Sequence, residues 1–103
     1  MKALKTSKVI SSASQEHFWR VVRMCLREFH HASPSVLARV TRLRQKINEA
    51  SVEDIEMFFH SEPFDVACNV ARRQLNVEDF LERYLQLRDR RDANRHPIKR
   101  HAV

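Results

Sequence analysis

The chain predicts an all-α fold, a small bundle of four to five helices, and three observations carry that expectation. There is no glycine among its 103 residues, whereas average usage is about 7%. Glycine reaches positive φ without steric cost, so tight hairpins, bulges and phosphate-cradling loops depend on it. Its absence leaves helix ends as the natural corners. Apolar residues recur at intervals of three and four, the period of a helix with one buried face. Serine, asparagine and proline stand just ahead of those periodic stretches, where they start helices.

The first helix is expected over about 14–32. Ser12 with Gln15 fits a capping box, and Phe18, Val22, Cys25 and Phe29 recur at helical spacing. Ser33-Pro34 opens a second helix, about 34–49, because serine accepts from an orphan amide and proline needs no N–H in the first turn. Val36, Val40, Leu43 and Ile47 form its apolar stripe. Ser51 precedes a short third helix, about 52–61, with an acidic first turn and Val52, Ile55, Phe58 and Phe59 as its apolar side. Pro63 starts the fourth, about 63–75. Phe64, Val66, Ala67, Cys68, Val70, Ala71 and Leu75 make it apolar over more than half its girth, so it is placed at the centre of the bundle. Asn76 caps the fifth, about 77–90, whose stripe runs Val77, Phe80, Leu81, Tyr84 and Leu87. The likeness of Ser51-Val52-Glu53-Asp54 to Asn76-Val77-Glu78-Asp79 reflects shared capping chemistry.

A chain of this length is expected to form one domain, spanning about 14–92, between a flexible basic segment at 1–13 and a disordered basic tail at 93–103. The formal charge of +6 is unevenly spread. Lys2, Lys5 and Lys8 stand in an acid-free start, and Arg90, Arg91, Arg95, Lys99 and Arg100 outnumber Asp89 and Asp92 at the end. The stretch between them is neutral, which argues against a basic fold that grips a phosphate backbone. No apolar run is long enough for a membrane span or a signal peptide, and the serine-rich start lacks the arginines of a transit peptide. Cys25 and Cys68 are isolated and fall on apolar faces, the pattern of buried, reduced thiols. The expected location is therefore cytoplasmic.

Candidate chemistry is sparse. Arg20, Arg23 and Arg27 form one basic stripe, and Arg39, Arg42 and Lys46 a second at the same spacing. If the first two helices are antiparallel neighbours, the stripes make one positive surface. The alternative is a solvated face whose second stripe pairs with Glu53, Asp54 and Glu56. A helix-turn-helix reading matches poorly, because the fifth helix carries Glu78, Asp79 and Glu82, which repel phosphates. Glu56 and His60 are an i, i+4 pair that could seed a metal site, with His17, His30 and His31 as further ligands, but the spacing of known bundle metal motifs is absent. Trp19 stands at the edge of its stripe and is the expected hot spot of a contact patch. Without glycine no phosphate loop, nucleophile elbow or dinucleotide fingerprint can exist.

The functional expectation is a non-catalytic helical interaction module without a cofactor, binding another protein or pairing with itself as a homodimer. Its contact residues would be Trp19, Arg20, Arg23, Arg27, Arg39, Arg42 and Lys46. A nucleic-acid-associated protein using the basic ends and arginine stripes is the second reading. A metal-binding bundle is the third.

Overall fold

The structure is a computed structural model that describes residues 12–89. Most of the basic segment expected at 1–13, and all of the tail expected at 93–103, lie outside the described residues. Among the described residues five α-helices follow one another: α1 Ser12–Phe29, α2 Pro34–Asn48, α3 Val52–Phe59, α4 Pro63–Ala71 and α5 Leu81–Arg88. A 3₁₀ turn, Val77–Phe80, leads into α5, and the described residues contain no strand. The fold is all-α, a small helical bundle.

The helix starts follow from local side-chain chemistry. Ser33 Oγ accepts from the Val36 amide at 3.4 Å, with Pro34 in the first turn of α2. Ser51 Oγ accepts from the Asp54 amide at 3.2 Å, and Glu53 and Asp54 complement the positive end of α3. Asn76 Oδ1 accepts from the Glu78 amide at 3.1 Å, but this caps only the 3₁₀ turn: α5, expected from about 77, begins at Leu81 without a side-chain cap, because the non-helical backbone of Phe80 breaks the run.

The helix ends depart from expectation. α1 stops at Phe29 rather than near 32, and α4 at Ala71 rather than 75. Two non-glycine residues hold positive φ there, His31 at 51° and Arg72 at 58°. After α4 the amide of Arg72 donates to the Asn69 carbonyl (3.2 Å) and that of Arg73 to Cys68 (3.1 Å). This is the Schellman closure that glycine usually serves. The lack of glycine therefore does not abolish left-handed corners; it puts a histidine and an arginine in them.

The core lies where α1 crosses α4, the most extensively packed pair of helices. Six of the nine residues of α4 are buried, so the fourth helix is central as expected. It shares that place with α1, whose Val22, Cys25 and Leu26 are completely buried. α2 covers α1 and α4 from one side with Val40, and α5 packs on α1 through Tyr84 and Leu87. Trp19 corrects an expectation. It is 1% exposed, stacked on Phe58 at 5.3 Å and edge-on to Phe18 at 5.5 Å. An indole this enclosed is a core residue and offers no ring to a partner. Two stripe residues turn outward instead: Val52, 57% exposed in the first turn of α3, and Leu81, 44% exposed where the 3₁₀ turn meets α5.

Candidate functional site

The second arginine stripe finds a place in the fold. Along α2 the apolar stripe faces the core, so Arg39, Arg42 and Lys46 fall on its flank, next to the carboxyl end of α4. Arg39 Nη1 donates to the Val70 carbonyl at 2.8 Å. Its charge there offsets the negative end of the α4 dipole. Arg42, Lys46 and Arg72 border an open groove of about 690 Å³ between α2 and α4, with Leu43 and Val70 as apolar lining and Glu49 as its acid. Arg42, Lys46 and Arg72 are exposed. Among the described residues no carboxylate forms an ion pair with any of the three. The pairing of this stripe with Glu53, Asp54 and Glu56 is therefore not formed. Arg72 reaches the groove only because the chain turns left-handed beneath it, and no sequence period could have shown that.

The first stripe goes elsewhere. Arg20 and Arg27 are exposed and Arg23 is half-buried. Burial holds the Arg23 guanidinium below its ordinary range, and the nearby charge of Arg44 lowers it further. Arg44 pairs with Glu16. Arg44 is one residue beyond Leu43, on the opposite flank of α2 from Arg42. The two stripes therefore do not merge: one lies beside Arg44 and the other lines the α2–α4 groove, whose lining holds no residue of α1.

A second open cleft, about 420 Å³, lies at the start of α5 and is bordered by Glu78, Asp79 and Glu82 with Leu81. All three acids are exposed. The cation on this rim, Arg83, is held by Glu28 through two 2.8 Å bonds, Nε to Oε1 and Nη2 to Oε2. Its charge is thus already matched by another helix, and the corner is left acidic.

The most connected polar cluster escaped sequence reasoning. Tyr84 Oη donates to Glu62 Oε1 at 2.7 Å and accepts from the Phe64 amide at 3.2 Å. Arg88 Nη1 reaches the same Glu62 oxygen at 3.2 Å, and its guanidinium carbon lies 5.8 Å from the Tyr84 ring centre. His17 Nε2 donates to the Arg88 carbonyl. Burial, then the hydrogen bond to Glu62, pushes the Tyr84 phenol far above its usual range, so it stays protonated. These bonds tie α5 to the start of α4 and to α1. The available signal was Glu62 itself, which stands at the N-cap position before a helix-starting proline but is not a capping residue type and makes no cap bond.

The remaining candidates do not assemble. Among the described residues no three His, Cys, Asp or Glu side chains converge as a metal ion would need, Glu56 and His60 included. Cys25 and Cys68 are buried and unbridged. Burial, with Cys68 adding to it, pushes the Cys25 thiol up to about 12, and burial also raises Cys68. Thiols so protonated are poor nucleophiles. No helix among the described residues is long and apolar enough to cross a membrane. No family model, curated protein or solved structure matches this chain.

Proposed function

We propose that the protein is a non-catalytic interaction module that receives an anionic protein surface in the groove between α2 and α4. One observation carries the reading: Arg42, Lys46 and Arg72 line one groove around apolar Leu43 and Val70, and no acid among the described residues pairs with them. Cations left unmatched beside apolar surface suit a partner that brings carboxylates and an apolar side chain together. The lining holds no aromatic ring on which a base could stack and no Ser, Thr, Cys or His to serve as nucleophile or base. Both features favour protein binding over a nucleic-acid or catalytic role. The buried, unbridged thiols support a reducing compartment such as the cytoplasm.

The test uses a fluorescein-labelled acidic amphipathic peptide and fluorescence anisotropy. The intact chain binds it at low salt, added salt weakens the binding, and the double variant Arg42→Glu, Lys46→Glu abolishes it. No binding at low salt, or equal binding by the variant, overturns the reading. Preferential capture of duplex DNA through the same two residues would replace it with the nucleic-acid reading.

A further inference from the structure

The anionic surface that this groove takes, if the reading above holds, is present on the chain itself. Glu78, Asp79 and Glu82 stand exposed around the half-exposed Leu81, and the charge of Arg83 on the same rim is already taken up by its bidentate pairing with Glu28. The groove has the opposite composition: Arg42, Lys46 and Arg72 around Leu43 and Val70. Within one copy the two do not meet, since none of these acids pairs with any of these cations. We infer that the cationic groove of one copy receives the acidic corner of a second copy.

The two surfaces are complementary in composition as well as in sign. Arg42 and Lys46 are separated by four residues on α2, which sets their Cβ atoms about 6 Å apart. Glu78 and Glu82 share that sequence interval, with the junction of the 3₁₀ turn and α5 between them, where Phe80 leaves helical geometry at φ −124° and ψ 12°. Three carboxylates thus stand against three cations, with Leu81 against the apolar lining. Each copy carries both halves, so two contacts close a dimer when the halves sit on one side, and an open chain grows when they do not. The charges are exposed, so they set partner choice and encounter rate, and salt weakens the pairing.

Sedimentation velocity of the full chain across concentration, at low and high salt, decides the matter. The mean mass rises above that of one copy at low salt and returns to it at high salt. Arg42→Glu with Lys46→Glu makes both surfaces acidic, and Glu78→Lys with Glu82→Lys makes both basic, so each variant alone stays a single copy. Mixing the two variants restores association. Arg72→Asn, which keeps an αL-tolerant residue, and Asp79→Asn each weaken it. A wild-type chain that stays a single copy at low salt overturns the inference, as does association that survives either charge reversal. A single-copy chain that still binds the acidic peptide leaves the module reading standing; loss of both removes the two together.

Discussion

Arg72 and His31 show what a glycine-free chain does at its corners. Both hold the left-handed conformation, at φ 58° and 51°, where a Cβ crowds the neighbouring carbonyl. Arg72→Gly removes that crowding and stabilises the fold by up to ~1 kcal/mol, a rise in Tm of several degrees on thermal unfolding. Glycine scarcity was legible at once in the sequence; its consequence was not, because φ is set by where the chain must go next. His30 behaves differently. Both of its ring nitrogens are buried without a hydrogen-bond partner, and burial, with Arg73 and His31 adding to it, lowers its pKa. In the unfolded chain it protonates near the ordinary value of about 6.5. Below that pH the unfolded state takes a proton that the folded state refuses, so stability is present above about 6.5 and is lost as pH falls. Denaturant titrations from neutral to acid pH will show this slope, and His30→Leu flattens it without loss at neutral pH, since it removes two unpaired buried groups. The alkaline side has the opposite sign. A free thiol ionises near 9.0 and Cys25 not until about 12, so the unfolded state sheds protons that the folded state keeps. Stability therefore falls between those values, with a limiting slope of ~1.4 kcal/mol per pH unit per group.

At the scale of elements, the starts of α2, α3 and α4 were readable; the start of α5 and the helix ends were not. Ser33 and Ser51 cap the helices they precede, because a cap is a bond between near neighbours in sequence, whereas Asn76 caps only the 3₁₀ turn ahead of α5. Where α1 and α4 stop depends on the left-handed corners and the packing that follows them. Periodicity likewise placed Trp19 on α1 but left its exposure open; only the arrival of Phe58 and Phe59 from α3 encloses the ring. Trp19→Ala therefore costs about 3–5 kcal/mol, read as a lowered denaturation midpoint, where a surface hot spot would have left stability unchanged. The attachment of α5 was invisible for the same reason. Glu62 and Tyr84 are far apart in the chain, yet their hydrogen bond and the Phe64 amide join α5 to the first turn of α4. Tyr84→Phe leaves that carboxylate and that amide without the hydroxyl and costs about 1–3 kcal/mol. Hydrogen exchange should report faster opening of α5 while α1 remains protected.

The whole molecule separates its charges although its central part is neutral in sum. Arg42, Lys46 and Arg72 gather at one groove, and Glu78, Asp79 and Glu82 gather at the start of α5. Folding adds Arg72 to Arg42 and Lys46, which are already near neighbours in the chain, so like-charge repulsion opposes folding chiefly at the groove. Arg39 is exempt, since its charge lies on the carboxyl end of α4. A surface kept only for solubility would interleave the two signs. In the proposed reading this segregation serves contact with a partner. The consequence is measurable on the single copy. Arg42→Gln with Lys46→Gln relieves the crowding at the groove and stabilises the fold by up to ~1 kcal/mol, while weakening capture of the acidic peptide. Added salt raises the Tm of the wild type more than that of this variant, because ions screen a repulsion that the variant has already lost. Dilute samples keep association out of the reading. Equal salt responses, or a variant less stable than the wild type, would show that these cations are balanced within the fold and leave no electrostatic reason for the groove to seek a partner.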